Sequence, residues 1–239
     1  MILFIFEGSK REVQFFNVIK RLFWNENTII ISVYECNIDA LYHEMKELGN
    51  EADIAALIMA RHKDKVDNPF KDVKRSDEFS EIYLMFDYDF QDFSRKPEQL
   101  NEQLKYLLDF FCEETDKGKL YINYPMLEAI AYTKTLPDKD FINYTVSRED
   151  CKRFKQKTHE FSAYANFDFL LKKEEDILRK NWTYIKEQNV KKAIFLCSPD
   201  KFDQRKILQA QIDKYETRED CQVAILSAFA LLLYDWSGQ

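Results

Sequence analysis

The first 124 residues alternate between short apolar runs and amphipathic stretches, and this alternation constrains the fold more than any other feature of the sequence. Four runs have the length and composition of strands: Ile2–Phe6, Thr28–Val33, Glu81–Phe86 and Lys119–Tyr124. The first run is apolar throughout, as in a strand that is covered on both faces. Apolar residues recur at helical spacing between the runs. Strands that alternate with helices imply right-handed crossovers and a mostly parallel sheet.

Helical patterns replace the strand signals after about residue 130. Ser147, followed by two acidic residues, is typical of a helix start. Further helices are predicted over Phe167–Lys192, Gln204–Tyr215 and Asp220–Trp236. We therefore predict an α/β fold, with a mostly parallel sheet flanked by helices over residues 1–130 and an α-helical extension over residues 131–239.

Local residue types also predict helix boundaries in the first part. Asn37 and Asp53 are suited to N-cap positions, and Gly49 is suited to a helix end. Glycine is otherwise scarce, since the chain has only four. A dinucleotide-binding fingerprint, a phosphate-binding P-loop and a nucleophile elbow each need glycines at close spacing, so these sites are excluded.

Cysteine and hydropathy patterns favour a cytoplasmic protein without a membrane span. The five cysteines are odd in number and contain no CxxC pair, and the three histidines have no ligand spacing. We therefore expect reduced, mostly buried thiols and no structural zinc. The apolar N-terminus lacks basic residues, which is unlike a signal peptide. The longest apolar run, Ala224–Tyr234, is about half the roughly 20 residues that a span requires, and we expect a core helix there.

Acidic residues follow three of the predicted strands. Glu7 ends the first strand, Asp87 and Asp89 end the third, and Glu128 lies just beyond the fourth. Ligands bind beyond the carboxyl ends of parallel strands, and alternation along an extended segment would direct Asp87 and Asp89 to the same side. Oxygen ligands without His or Cys suit Mg²⁺ or Mn²⁺. For the Asp pair alone, a solvated turn is an equally good explanation. Gly8 favours the site, because glycine permits a sharp strand-to-helix turn after Glu7.

Two of these segments resemble the Toprim family of topoisomerases, primases and nucleases. Phe4-Ile-Phe-Glu-Gly8 is similar to the glutamate strand of that family, and Leu84-Met-Phe-Asp-Tyr-Asp89 is similar to its DxD strand. Tyr124-Pro-Met-Leu-Glu128 resembles the segment with a further glutamate in overcoming-lysogenization-defect nucleases. The resemblance covers roughly residues 1–130. It implies metal binding and acid–base work for Glu7, metal binding for Asp87 and Asp89, and a second ion at Glu128.

One position departs from the family pattern. Many relatives have an acidic residue four positions after the glutamate, where this chain has Arg11, with Glu12 one step later. One step rotates a helical side chain by about 100°, so Glu12 is a weaker candidate metal ligand. Lys10 could orient a scissile phosphate, although a surface lysine is the simpler interpretation.

The narrower resemblance is to small Toprim proteins of bacterial antiphage defence, including PARIS-type effectors that work with an ABC-type ATPase. Asn37-Ile-Asp-Ala-Leu41, Asn123–Glu128 and the tail Ala224–Trp236 carry it. It implies an Mg²⁺- or Mn²⁺-dependent endonuclease acting on DNA or on tRNA or other RNA, toxic in abortive infection and controlled by a partner ATPase. The alternative is a catalytically silent Toprim module with a binding or regulatory role. A homodimer through the tail and Trp236 is left open, and so is packing of that tail within the chain.

The charge distribution bears on the nucleic-acid substrate. The net charge of −7 divides into −9 over residues 1–130 and +2 over residues 131–239. Arg148, Lys152 and Lys155 would share a face if one helix ran through them, and that face could contact a phosphate backbone or simply be solvated. We therefore expect substrate contacts from the metal, the helical part or a partner.

Overall fold

A computed structural model describes residues 1–24, 29–197 and 202–237. The strands in these ranges are β1 (Ile2–Phe6), β2 (Ile29–Val33), β3 (Glu81–Asp87), β4 (Cys112–Glu113), β5 (Gly118–Asn123), β6 (Thr145–Ser147) and β7 (Gln222–Ala224). The α-helices are α1 (Arg11–Phe23), α2 (Ile38–Leu48), α3 (Ile54–His62), α4 (Pro97–Phe110), α5 (Arg148–Cys151), α6 (Phe154–Phe161), α7 (Asp168–Leu171), α8 (Glu175–Cys197), α9 (Gln204–Gln211) and α10 (Ala228–Ser237). A π-helix over Ile212–Glu216 follows α9 directly.

The main sheet has the strand order β2-β1-β3-β5-β4. All neighbours in it are parallel except β4, which pairs antiparallel with β5. The mostly parallel sheet flanked by helices is confirmed, whereas the short strand β4 was not predicted and Thr28 lies outside the described residues. Because β2 and β3 lie on opposite sides of β1, the connections diverge at β1 and β3. That divergence is the topological switch point at which open α/β sheets bind ligands.

Helices α1 and α10 cover the same face of the sheet. The ring centroids of Phe4 and Phe16, which lies in α1, are 4.2 Å apart. Phe6 stacks on Phe229 of α10, with 5.8 Å between ring centroids. Trp236 at the end of α10 packs against Trp24, with 4.5 Å between centroids. The apolar tail is therefore part of the core of this chain. The domain boundary at residue 130 stays a prediction, and α10 packs against β3 and β5.

The predicted helix boundaries in the first part are confirmed. The side chain of Asn37 accepts a hydrogen bond from Ala40 N–H at the start of α2, and that of Asp53 accepts one from Ala56 N–H at the start of α3. Gly49 ends α2 with a φ of 71°, in the region that favours glycine. Ser147 caps α5 through Asp150 N–H, although that helix is only four residues long.

The second part contains strands that the sequence did not predict. β6 and β7 form a two-stranded antiparallel sheet and α10 begins only at Ala228, so the predicted helix over Asp220–Trp236 is wrong in nearly its first half. The buried side chain of Gln211 supports this strand by bonding both the N–H and the C=O of Ala224. A continuous apolar run does not separate a short buried strand from the helix that follows it. The predicted helix over Phe167–Lys192 is likewise divided into α7 and α8.

The cysteine thiols and the helix lengths test the expectations of buried thiols and of no membrane span. None of the five cysteines forms a disulfide, but only Cys151 is buried, and Cys36 and Cys112 are exposed. The expectation of mostly buried thiols is therefore wrong, because Cys112 lies on the short edge strand β4 and Cys36 on the loop before α2. In the described ranges, every helix is too short or too polar to cross a membrane.

Candidate metal centre

Glu7 and Asp87 meet at the carboxyl edge of β1 and β3. The parallel register pairs Phe6 with Met85, and Glu7 continues it by donating its backbone N–H to Met85 O at 3.1 Å. The Glu7 side chain then crosses to the next strand, where Oε2 accepts the backbone N–H of Asp87 at 2.9 Å. The fold thus brings together two acidic residues that are 80 positions apart in the chain, at the switch point of the sheet.

Asn123 orients Asp87 from the neighbouring strand. It pairs with Asp87 in the β3–β5 register, and its Nδ2 donates to Asp87 Oδ1 at 3.0 Å. Its own Oδ1 accepts the N–H of Ala228, the first residue of α10, at 2.8 Å. The side chain is buried and has both ends of its amide bonded. Asn123 was not predicted as a site residue, although a polar residue at the end of a buried strand on this edge was a usable signal.

Asp89 reaches the same edge by a turn of the backbone. β3 ends at Asp87, and Tyr88 N–H bonds to the carbonyls of Asn123 and Pro125. Asp89 then has a φ of 55°, in the left-handed region. The predicted extended alternation is therefore wrong beyond Asp87, because β3 ends there and Asp89 has left-handed rather than extended backbone angles.

Gln91 is a second residue that the sequence analysis missed. Its Nε2 donates to Asp89 Oδ1 at 2.9 Å. Its Oε1 is buried and has no hydrogen-bond partner in the described part of the chain. A buried amide oxygen without a donor is costly, so this atom is available to a cation or to a bound donor.

Gly8 leaves space for the carboxylate of Glu12. The carboxylate of Glu12 folds back so that Oε1 accepts Gly8 N–H at 3.0 Å, and a Cβ at position 8 would lie 2.4 Å from that oxygen. Among the glycines that the structure describes, Gly49 and Gly118 have a positive φ and Gly8 does not. The chain bends between the end of β1 and the start of α1, where the sharp turn was expected, and Gly8 takes part in this bend without a positive φ. Glu12 approaches the site because position 8 has no side chain.

The other predicted site residues, Glu128 and Lys10, differ in how close they lie to the acidic residues of the site. Glu128 is half-buried in the 3₁₀ segment Leu127–Ala131 and lies near enough to Glu12 to repel its charge. Lys10 is exposed just before α1 and, among the described residues, pairs with no carboxylate. Arg11, at the position of the family departure, bonds to Gln14 and lies 5.4 Å from the ring centroid of Phe167. Its charge is thus engaged on the outer side of α1.

We call Glu7, Glu12, Asp87, Asp89 and Glu128 the carboxylate cluster. Burial, together with the charges of Asp89 and Glu12, raises the pKa of Glu7 to about 8 against the lowering effect of the Asp87 N–H. Burial, followed by the charge of Glu7, holds the pKa of Asp87 well above its usual range. Burial is also the main cause of the raised pKa values of Glu12 and Asp89. Nearby positive charge would relieve this repulsion.

The donor set fits a hard divalent cation. It offers carboxylate oxygens and the unpartnered Oε1 of Gln91, and oxygen ligands are those that Mg²⁺ and Mn²⁺ take in proteins. In the described ranges, however, no three His, Cys, Asp or Glu side chains already stand close enough together to hold an ion. One oxygen each of Glu7 and Glu12 is bonded to a backbone N–H. Binding therefore requires the side chains to converge from these positions.

A groove opens beside the cluster, between the ends of β1 and β2. Glu7, Gly8 and Ser9 line one side, and Val33, Glu35 and Asn37 line the other. Ser9 and Asn37 precede the first turns of α1 and α2, whose N-termini carry positive partial charge. The groove gives solvent access to Glu7.

Known proteins do not decide the family. No family model, no curated protein and no solved structure matches this chain. The likeness to Toprim proteins rests on the motifs alone.

Proposed function

We propose that this chain is a metal-dependent nuclease of the Toprim type that hydrolyses phosphodiester bonds in DNA or RNA. The carrying observation is the Glu7–Asp87 contact at the switch point of a parallel sheet, with Asp89, Glu12 and Glu128 nearby. Buried carboxylates that raise one another's pKa values cost folding free energy, and a site that uses them is a natural reason to keep them.

In this proposal Glu7, Asp87 and Asp89 hold the first Mg²⁺ or Mn²⁺, and Glu128 and Glu12 contribute to a second. A bound divalent ion supplies Lewis-acid polarisation of the phosphate and lowers the pKa of a bound water. The side chain of Asn123 orients Asp87, and the exposed Lys10 contacts a substrate phosphate from the start of α1. The groove between β1 and β2 admits the substrate backbone to Glu7.

The test is cleavage of labelled single- and double-stranded DNA and RNA, including tRNA, with Mg²⁺, with Mn²⁺ and with EDTA. We expect cleavage only with a divalent ion, and loss of cleavage in Glu7→Gln, which keeps the size of the side chain. Arg75→Ala is the matched control, because Arg75 is exposed before β3, away from the carboxyl edge of the sheet. Full activity of Glu7→Gln contradicts the proposal.

The biological role in this proposal is that of a toxic effector of antiphage defence in the cytoplasm, controlled by a partner ATPase. Its support is the resemblance to small Toprim defence proteins. The test is expression in a bacterial host with and without an ATPase encoded beside the gene for this chain. We expect growth arrest from the chain that the partner suppresses and that Glu7→Gln abolishes; arrest by Glu7→Gln equal to that by the unaltered chain contradicts this role.

A catalytically silent module is the second candidate, and one observation favours it. In the described ranges no metal-ready group of carboxylates is present, and backbone N–H groups already engage Glu7 and Glu12. A silent module would bind neither Mg²⁺ nor Mn²⁺ at millimolar concentration. Calorimetric titration of the full chain with MnCl₂ therefore separates the two candidates.

A further inference from the structure

Arg148 attaches the second part of the chain to the segment that follows Asp89. It is the first residue of α5, and its guanidinium donates three hydrogen bonds to backbone carbonyls. Nε bonds to Phe90 O at 2.9 Å, while Nη2 bonds to Asp92 O at 2.7 Å and to Arg95 O at 2.6 Å. One side chain therefore fixes three points of a six-residue stretch.

The position of this guanidinium differs from the sequence expectation. One helical face through Arg148, Lys152 and Lys155 is wrong, because α5 ends at Cys151 and α6 begins only at Phe154, although Lys152 Nζ lies 3.9 Å from the ring centroid of Phe93. Arg148 instead lies against two rings, at 5.5 Å from the centroid of Phe90 and 4.6 Å from that of Phe93. The guanidinium of Arg148 is bonded to the segment 90–95, so this side chain is not free to contact a phosphate backbone.

The chain on the other side of Asp89 is also held by the second part. Tyr88 OH donates to Glu216 Oε1 at 2.7 Å, and Asn101 Nδ2 donates to the other oxygen of Glu216 at 2.6 Å. Asp89 thus lies between Tyr88, which Glu216 holds, and Phe90, which Arg148 holds. Two residues from beyond position 130 bracket one candidate ligand.

The left-handed backbone conformation of Asp89 needs support from neighbouring segments. A left-handed conformation is costly for a residue other than glycine, and it persists where the surroundings determine it. The carbonyl of Phe90, one peptide further along the chain than that of Asp89, accepts from Arg148 Nε. Loss of that bond frees the segment to relax toward ordinary backbone angles and to carry the Asp89 carboxylate away.

We propose that Arg148 is a positioning residue that sets the location of the Asp89 carboxylate and thereby the affinity of the carboxylate cluster for a divalent cation. This inference rests on the proposed metal-binding function. Arginine is suited to the task because its planar fork donates in several fixed directions, whereas a lysine ammonium is a single point on a flexible stem. Arg148→Lys is therefore expected to retain the charge and lose the geometry.

The charge of Arg148 and its positioning role predict different changes in cation affinity when the residue is removed. If charge alone matters, removal of a positive charge from the protein leaves cation binding unchanged or strengthens it. Removal of a positioning residue weakens it, since outer residues that orient metal ligands typically change affinity by about 10- to 100-fold. Arg148→Ala removes both the charge and the three hydrogen bonds. The direction of the change in cation affinity therefore shows which of the two effects is larger.

The experiment is calorimetric titration of the full chain with Mn²⁺, for the unaltered protein and for Arg148→Ala, Arg148→Lys and Asp89→Asn. Arg148→Ala combined with Asp89→Asn completes a double-mutant cycle. Arg153→Ala is the matched control, because Arg153 is an exposed arginine in the turn between α5 and α6. Thermal unfolding without metal, recorded for each variant, identifies any that fails to fold, and Arg148→Lys is the milder change that keeps the test decisive.

We expect both Arg148 variants to bind Mn²⁺ at least about 10-fold more weakly, Arg153→Ala to bind as the unaltered chain does, and Arg148→Ala to have little further effect once Asp89 is Asn. Unchanged or tighter binding by folded Arg148→Ala, or an equal loss with and without Asp89, overturns the positioning role and leaves the proposed function standing. Absence of Mn²⁺ binding by the unaltered chain overturns the proposed function and this inference together.

Discussion

Asn123 donates its side-chain N–H to the carboxylate of Asp87 at 3.0 Å, and the other end of the same amide accepts the first N–H of α10. A candidate metal ligand on β3 is thereby connected to a helix near the end of the chain. Because the amide is buried and bonded at both ends, its orientation is fixed by the fold.

Replacement of Asn123 by Ala should leave both Asp87 Oδ1 and Ala228 N–H without this partner. Each buried group left unbonded costs about 1–3 kcal/mol, so we expect a clear loss in the free energy of unfolding. Urea denaturation measures it, with Asn143→Ala, an exposed 3₁₀ residue, as the control. A loss no larger than that of the control contradicts the described role of Asn123.

Gly8→Ala tests the close approach of Glu12. The added Cβ would meet Glu12 Oε1 at 2.4 Å, so the carboxylate must leave Gly8 N–H, and we expect destabilisation of about 1–2 kcal/mol. The penalty should largely vanish in a Glu12→Ala background, where no carboxylate occupies the space. Chemical denaturation of the four proteins of this cycle checks the coupling. Additive changes would indicate that Gly8 is needed for its backbone instead.

Asp87→Asn should stabilise the chain in the absence of metal. Burial and the charge of Glu7 raise the pKa of Asp87, so its ionised form costs folding free energy at neutral pH. Asn keeps an acceptor for Asn123 and removes the charge. We expect a higher melting temperature than the unaltered chain in EDTA and a smaller gain on addition of Mn²⁺. Asp72→Asn, an exposed change, should alter neither value. A lower melting temperature of Asp87→Asn in EDTA counts against the repulsion that we infer.

Lys192 should make stability depend on pH. Its ammonium is buried on α8, where it donates to the carbonyls of Phe141 and Tyr144, and burial lowers its pKa to about 7. The unfolded chain, with a lysine pKa of about 10.4, binds the proton more strongly than the folded chain between these values. The free energy of unfolding should therefore rise with pH from about 7 toward 10.

The comparison with Lys192→Met isolates this contribution. Met fills a similar volume without a charge, so its stability curve should lack the rise, which is on the order of 1 kcal/mol per pH unit. Denaturation at pH values between about 6 and 9 measures both curves. Parallel curves would mean that Lys192 has its ordinary pKa in the folded chain.

The sequence predicted those parts of the structure that depend on short-range signals and on the rule for parallel strands. The convergence of Glu7 and Asp87 at the carboxyl edge of the sheet followed from strand ends alone, whereas the switch point needed the strand order. The positions of Asn37 and Asp53 as caps were also predictable, because capping is a local hydrogen bond.

Other parts depended on contacts between distant segments. Arg148 lay in a basic helical pattern, and only the packing of α5 beside the turn after β3 directs it to the carbonyls of residues 90, 92 and 95. The space above Gly8 and the left-handed backbone of Asp89 are equally invisible in a residue pattern. β7 escaped prediction because an apolar run gives the same signal for a buried strand and a buried helix.

The central claim is that the carboxylate cluster binds a divalent cation through Glu7. The most direct measurement is calorimetric titration of the full chain with Mn²⁺ at pH 7.5, beside Glu7→Gln, which keeps the size and removes the charge. We expect saturable binding by the unaltered chain and a loss of at least about 10-fold in affinity for Glu7→Gln. Equal affinity of the two proteins, or no binding by the unaltered chain at millimolar Mn²⁺, would contradict it.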